Sequence, residues 1–278
     1  IIATMPLDNA HKVSTAERPS NKHYQSDMKQ TVQYPRLFLG LLGIWPMDSS
    51  PTKKYIFALL IVIFLILLSF IIIPPMLHII LIEKDPRLRL ITFGPLSFHL
   101  TNFVKYGLFL LRFKTIRLCV EHVETDWKSI VSESDRAIMK SNASVGRRLT
   151  LISCILTWSN AISYNTIVPI MQGKMTNGIN ETVRWLAYPG FDIFFDSQLQ
   201  PTYEIIFFII CVSVFVSYNV TSASCSFTAG FVSHACGLLQ IVISRLEVLV
   251  DSIEIHKNEK RLKNQQSLIT QCHVRVLR

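Results

Sequence analysis

The sequence predicts an all-α polytopic membrane protein with four transmembrane helices, a cytoplasmic amino terminus and helical extensions in the cytoplasm. The first observation is residues 56–82, a run of 27 residues without Asp, Glu, Lys or Arg. As a helix this run would reach about 40 Å, whereas the apolar core of a bilayer is about 30 Å thick. The second is that charged residues make up only 17% of the chain, against about 25% in soluble domains. The third is that the charges cluster between long uncharged runs, as in polytopic membrane proteins.

The amino-terminal region, residues 1–54, is polar apart from one short apolar segment at 37–47. That segment is too short to cross a bilayer, so we expect a re-entrant or interfacial element with Trp45 at headgroup depth. The first transmembrane helix is predicted at 55–82, and a short outer loop at 83–89.

The second predicted transmembrane helix, 90–111, is less apolar than the first because it contains His99 and Lys105. A charge inside a bilayer is costly. We therefore expect Lys105 to snorkel or to pair near the inner boundary rather than to bind a ligand. The third predicted helix, 149–171, contains no charged residue.

The fourth predicted helix lies in an uncharged run, residues 205–243. As one helix this run would measure roughly 58 Å, too long for a single crossing. Two crossings would put the basic tail outside, and no Pro or Gly cluster marks a hairpin. We therefore expect one span at 201–243 that continues into the cytoplasm, followed by a helical tail at 244–278.

The distribution of basic residues predicts the orientation. Residues 1–54, the linker 112–148 and the tail 244–278 carry seven, eight and seven Lys and Arg, whereas the loops 83–89 and 172–200 carry three and two. The positive-inside rule then places both ends of the chain in the cytoplasm. Asn180, in a glycosylation triplet of the outer loop 172–200, is the expected glycan acceptor, and Asn142 in the linker is not.

Two apolar stripes at helical spacing predict amphipathic helices on the cytoplasmic side. Each has charged residues on its opposite face, and we expect the stripes to pack against each other or a partner rather than to lie on the membrane. One follows the second span and the other follows the fourth: Ile116, Val120, Val123, Trp127 and Val131; Leu239, Val242, Leu246, Leu249 and Ile253.

No motif in the sequence indicates catalysis. There is no phosphate-binding loop, and the His–Cys pairs around His234 and His273 lack the repeated spacing of zinc ligands. No cysteine lies in the outer loop 172–200, so a disulfide framework is not predicted. We expect neither an enzyme nor a cofactor, a metal or a nucleic-acid partner.

Aromatic and hydroxyl side chains at similar depth in three spans predict an apolar ligand pocket in the outer half of the membrane. Their spacing does not separate a pocket from ordinary helix packing, so both interpretations stay open. The predicted lining is Phe93, Leu96, Ser97 and Leu100 of the second span, Trp158, Ile162, Ser163 and Thr166 of the third, and Phe208, Cys211, Val212 and Phe215 of the fourth.

Four stretches resemble the insect odorant receptor family, and odorant-tuned receptors of the wasp, bee and ant type in particular. In chain order they are LLGIWP, YPGFDIFFDSQLQPTYEI, FVSHACGLLQIVISRL and LITQCHVRVLR. The resemblance extends over nearly the whole chain from Tyr34, and the cytoplasmic amino terminus fits it.

This resemblance implies a receptor for small volatile odorants in the plasma membrane of olfactory neuron dendrites. It also implies a ligand-gated cation channel, a heteromeric tetramer with a co-receptor subunit. The family has seven spans with the pore at the seventh, so we expect this sequence to cover the first four. The alternatives are a gustatory receptor of the same superfamily and a fragment of a small-molecule transporter, although we find no matching broken helices of the kind that transporters contain.

Overall fold

The computed structural model describes residues 20–45, 51–167, 171, 174–176, 182–184, 186–255, 266–271 and 274. It confirms the predicted fold class, an all-α helical membrane protein. The long elements are α1 (Tyr24–Thr31), α2 (Gln33–Leu41), α3 (Pro51–Leu77), α4 (Pro86–Leu111), α5 (Phe113–Ser129), α6 (Glu133–Ile162) and α7 (Thr202–Ile255). Short π-helical segments extend α3 (His78–Ile82) and α6 (Ser163–Ile167), and a small hairpin pairs β1 (Lys174–Thr176) with β2 (Thr182–Arg184).

Two of the described helical stretches are long and apolar enough to cross a membrane, Tyr55–Ile82 and Thr202–Asp251. They correspond to the first and fourth predicted spans. Helix α4 contains 26 residues and is also long enough, at about 39 Å. Asp85 caps its amino-terminal end, because the Asp85 side chain accepts a hydrogen bond from the Arg87 backbone N–H at 2.9 Å. Crossings by α4 and α6 stay predictions, because both helices carry more polar residues.

Helix α7 is one uninterrupted helix of 54 residues. It packs along α6, and glycines allow a close approach at two points. A Cβ on Gly146 would lie 2.9 Å from the Cβ of Ser233, and one on Gly237 would lie 2.6 Å from the sulfur of Met139. Small residues let helix backbones approach closely in this way. The length of this helix exceeds one crossing, and where it leaves the membrane stays a prediction.

The linker stripe is buried as predicted except at its end. Helix α5 ends at Ser129, so Ile130 turns inward and Val131 is exposed. The stripe packs into a group that we call the linker cluster, which also includes residues of α1, α2, α3, α4, α6 and α7. Its buried members are Met28, Val32, Leu39, Leu42, Ile44, Trp45, Leu68, Tyr106, Ile116, Val120, Val123, Trp127, Ile130, Met139, Val216, Val220, Ala223 and Ile241.

The second predicted stripe, in the last part of α7, is only partly buried. Val242 and Leu249 are buried, whereas Leu239 and Leu246 are exposed. The side chain of Ile253 lies outside the described residues.

The amino-terminal region contributes to the core, which its polar composition did not predict. Leu39, Leu42 and Ile44 are fully buried, and Trp45 is also buried. The short apolar segment therefore packs inside the protein, where the Tyr106 hydroxyl donates to the Leu42 carbonyl at 3.3 Å. A position of this segment at the membrane interface stays a prediction.

Asp27 of α1 ties this region to the linker. Its carboxylate is only 1% exposed and accepts hydrogen bonds from the Arg136 guanidinium at 2.7 and 3.2 Å. Lys140 lies 3.3 Å away, and the Asn21 amide donates to the same carboxylate at 3.3 Å. We call these four residues the amino-terminal clasp. Beside it, the Trp127 indole donates to the Thr31 hydroxyl at 3.1 Å.

The clasp sets the ionisation of Asp27. Burial opposes ionisation and would raise the pKa of Asp27, but the hydrogen bonds from Arg136, Asn21 and Lys140 outweigh it and hold the pKa below its ordinary value. A carboxyl group with a lowered pKa stabilises the folded state above its unfolded pKa. That contribution is lost as the pH falls through the folded pKa. The clasp is therefore intact throughout the neutral range.

We predict that Asp27→Asn loosens the clasp, because it leaves Arg136 without its buried carboxylate partner. The melting temperature of the purified protein should fall by about 5 °C or more. The control is Glu133→Gln, since Glu133 contacts the same guanidinium at 3.5 Å but is 83% exposed, and exposed pairs contribute little. Equal melting temperatures for the two variants would contradict a structural role of the clasp.

We predict that glycosylation mapping will report the orientation. Expression in microsomes should give a glycan on Asn180 that Asn180→Gln abolishes. Ser132→Asn completes an acceptor triplet with Glu133 and Ser134 in the exposed turn before α6, and on the cytoplasmic side it should stay unmodified. Asn142 is a poorer reporter, because its amide donates to Gln240 at 2.7 Å. A glycan on the Ser132→Asn variant would show that the orientation is the opposite of the predicted one.

Candidate ligand-binding site

A second apolar cluster lies where α3, α4, α6 and α7 meet residues 186–191, a segment that we call the strap. This strap cluster is separate from the linker cluster and is rich in aromatic side chains. Its buried members are Ile71, Ile72, Leu96, Ala161, Tyr188, Phe191, Ile206, Ile210, Val214 and Tyr218. Phe70, Phe98, Trp158 and Tyr164 pack against it.

Gly190 allows the strap to lie directly on α3. Its φ of +97° is a backbone conformation that residues with a Cβ rarely adopt. A Cβ there would also lie 2.7 Å from the carbonyl carbon of Pro74 and 2.9 Å from the Cβ of His78. The next residue, Phe191, then contacts Phe70 with ring centroids 5.0 Å apart. The strap therefore packs closely against the end of α3, at a contact where only glycine fits.

His99 is the polar centre of the site. It is 1% exposed, and each ring nitrogen has a partner at 2.8 Å, the Ser217 hydroxyl at Nδ1 and the Tyr188 hydroxyl at Nε2. The Asn102 amide donates to the Ser217 oxygen at 3.2 Å, and the Thr221 hydroxyl donates to the Asn102 carbonyl oxygen at 2.8 Å. These five residues, the His99 network, join α4, α7 and the strap.

Two arrangements of donors and acceptors fit this network, and they differ in the tautomer of His99. In both, the Thr221 hydroxyl donates to Asn102, which donates to Ser217. If Ser217 donates to Nδ1 of His99, then Nε2–H donates to the Tyr188 oxygen, and each bond polarises the next. In that tautomer no described residue accepts the hydroxyl hydrogen of Tyr188, whereas in the other tautomer this hydrogen is donated to Nε2. Burial raises the pKa of Tyr188, so this hydroxyl stays protonated. With the proton of His99 on Nε2, Tyr188 is a hydrogen-bond donor in an apolar site.

Aromatic rings surround the network. Phe98 lies 4.8 Å from the Tyr218 ring centroid, and His99 lies 5.1 Å from that of Tyr188. Trp158 contacts Tyr218 at 6.2 Å between centroids. An apolar wall with a few placed polar groups is the usual composition of a small-molecule site.

The twelve predicted pocket residues do not share one surface in the structure, because some pack at the strap cluster and others are exposed. Leu96 is buried in the strap cluster, and Trp158 packs against it. Phe215 is half exposed but contacts the Trp158 ring at 5.5 Å between centroids. Ser97, Cys211 and Val212 are intermediate in exposure. The others face away from the cluster: Phe93, Leu100, Ile162, Ser163, Thr166 and Phe208.

Small polar residues lie along the inward face of α7. The predicted lining of this helix follows its aromatic residues and does not include these small polar ones. Ser213, Ser217 and Thr221 recur every four residues, and Ser213 and Ser217 are fully buried. Polar groups in a bilayer turn toward the protein interior. The same rule places His99 and Asn102 inward on α4. This polar stripe therefore gives a better guide to the inner face than Phe208 and Phe215 do.

The sequence also singled out His234 and Lys105, and neither contributes to this site. Nε2 of His234 lies 3.1 Å from the Asp126 carboxylate, which links α7 to α5. Among the described residues no group of three or more His, Cys, Asp or Glu side chains could hold a metal ion. Lys105 makes no ion pair with a described residue.

A family model for the 7tm odorant receptors matches residues 90–275 of the sequence. No curated protein matches the sequence significantly.

We predict that Gly190→Ala displaces the strap. The change forces a side chain into a left-handed conformation, which costs about 1–2 kcal/mol, and into contact with the Pro74 backbone. Thermal stability should fall and the strap should become more sensitive to proteases. The control is Gly94→Ala in α4, where a Cβ meets nothing within 4 Å, and this variant should match the parent. A Gly190→Ala protein as stable and protease-resistant as the parent would show that the strap does not depend on this contact.

Proposed function

Because the chain belongs to the odorant receptor family, we propose that it is an odorant-tuned subunit that binds small, volatile, apolar molecules at the strap cluster. The observation that carries this proposal is an aromatic, apolar cluster with one buried polar network at the junction of four helices and the strap. Such a site gains affinity from buried apolar area, at about 25 cal/mol per Å², and selectivity from a single donor.

The Tyr188 hydroxyl is the donor that we propose for an odorant with an oxygen acceptor, such as a ketone, an ester or an alcohol. It sits at the end of the His99 network and, when the proton of His99 is on Nε2, carries a hydrogen that the network does not use. Leu96 and Trp158 form part of the apolar wall, and Tyr218 lies beneath them. A ligand at this place touches the strap and α7 together, so it can bias the position of either.

We further propose that the receptor works with a co-receptor subunit in a heteromeric tetramer that conducts cations in the plasma membrane of olfactory neuron dendrites. Family membership supports this part, and the chain offers no catalytic motif that would favour an enzyme. The Asn180 glycan and the four-span arrangement with cytoplasmic ends belong to the same proposal.

The test is odour-evoked current in cells that express the receptor with the co-receptor, measured against cells with the co-receptor alone. Tyr188→Phe should raise the half-maximal concentration of oxygen-containing odorants about two- to twelvefold, because one hydrogen bond in a buried site contributes roughly 0.5–1.5 kcal/mol. Hydrocarbon odorants should shift much less. Tyr203→Phe is the control, since it removes the same hydroxyl outside the strap cluster.

A second variant separates the two possible locations of the ligand. Phe208 is 68% exposed on the outward face of α7, so Phe208→Ala should leave the odour ranking unchanged if the ligand binds at the strap cluster. Surface expression is measured for every variant. If Phe208→Ala changes the ranking and Tyr188→Phe does not, the ligand binds the outward face. If no odorant evokes current above the co-receptor control, the receptor proposal itself fails.

A further inference from the structure

The structure contains a cavity of about 280 Å³ between the end of α4, the start of α5 and the middle of α7. We infer that this cavity binds an anionic phospholipid of the cytoplasmic leaflet. It lies far along α4 from the strap cluster and is not part of the odorant site. Its walls combine two cations with an apolar groove, and each part points to one portion of a phospholipid.

The cations are Lys105 and Arg112. Lys105 lies on α4 and Arg112 directly follows its last residue, seven positions later, and both line the cavity. Neither side chain makes an ion pair with a described residue, although the same part of the chain pairs Arg117 with Glu121 and Lys128 with Glu124. Thr115 and Ser224 also line the cavity, whose surface is almost wholly apolar. The aliphatic stems of Lys and Arg cover apolar surface and leave the charged ends at its edge, where two cations without an acidic partner among the described residues suit a phosphate group.

The rest of the wall is apolar. Leu108, Phe109, Ile116 and Phe227 line the groove between the cations and α7. Phe109 and Phe227 contact each other with ring centroids 6.3 Å apart. A soluble anion would gain nothing from these side chains, whereas an acyl chain would bury its methylene groups against them. The amphipathic composition of the cavity therefore favours a lipid over free phosphate.

The depth of the cavity agrees with this assignment. Lys105 and Arg112 lie about 28 and 39 Å from the start of α4, which brackets the inner edge of an apolar core about 30 Å thick. Ser224 lies about 33 Å from the start of α7. The inference rests on the proposed orientation, in which this edge faces the cytoplasm. In cells that leaflet carries the anionic lipids, which attract Lys and Arg near the surface.

The experiment measures lipid retention and contact in the receptor purified into nanodiscs of phosphatidylcholine and phosphatidylserine. Native mass spectrometry gives the ratio of the two lipids that remain bound, and a phosphatidylserine with a photoreactive acyl chain gives the labelled residues. The cavity variant is Lys105→Gln with Arg112→Gln. The matched control is Arg147→Gln with Arg148→Gln, which removes two charges at the predicted inner boundary of the third span. No odorant is needed, so the result is independent of the odorant proposal, and the glycan mapping tests the orientation separately.

We expect the parent to retain phosphatidylserine in preference to phosphatidylcholine, with photolabel on residues near Leu108 and Phe227. The cavity variant should lose this preference by about tenfold, because each cation near an anionic headgroup contributes to lipid attraction, and the control should keep most of it. An equal loss of the phosphatidylserine preference in both variants would mean diffuse attraction to the membrane surface and would contradict a lipid site in the cavity. Retention of phosphatidylserine that neither variant changes would contradict it too. A photoreactive residue at position 108 that cross-links to protein instead of lipid would assign the cavity to a partner subunit or another segment of the chain.

Discussion

A bilayer offers no hydrogen-bond partner to a side chain, and this constraint organises the structure. Buried polar groups of α4 and α7 are matched to one another across the boundary between the two helices. His99 uses both ring nitrogens, and Asn102 uses its amide and its carbonyl oxygen. The apolar residues need no such match and can face either lipid or protein. The arrangement of α4 against α7 is therefore specified by a few polar contacts, with the apolar surface filling the space around them.

At the other end of the bundle, around the linker cluster, different interactions stabilise the packing. There the helices extend past the apolar run of the sequence, and packing of the linker cluster is combined with charge pairing at Asp27. The close approach at Gly146 and Gly237 brings α6 and α7 together along this part. Polar contacts specify the strap end, whereas apolar area and buried carboxylates paired with cations, Asp27 and Asp135, stabilise the linker end. The two clusters meet along α3 between Leu68 and Ile71.

The sequence predicted the elements whose pattern has one physical cause. An uncharged run long enough for a bilayer predicted α3 and α7, and the stripe from Ile116 to Trp127 predicted the buried face of α5. Helices α1 and α2 were not predicted, because their inward residues are short runs within a polar region. The strap depends on Gly190 meeting Pro74, a contact between distant segments that no local pattern encodes. The aromatic residues of α7 do not by themselves indicate which face points into the protein, since lipid accepts Phe208 as readily as protein does. The polar stripe of Ser213, Ser217 and Thr221 is the pattern that indicates the inward face of α7.

The continuity of α7 has a mechanical consequence. A helix of 54 residues is about 80 Å long, and it has no Pro or Gly pair inside the strap cluster at which it could bend independently. Such a helix behaves as a lever. Pivoted near its first turns, it would carry a tilt of about 5° to its far end as a displacement of roughly 7 Å. A displacement of α7 at Ser217 or Tyr218 would therefore reach Arg245 and its partner Asp135 through the helix itself.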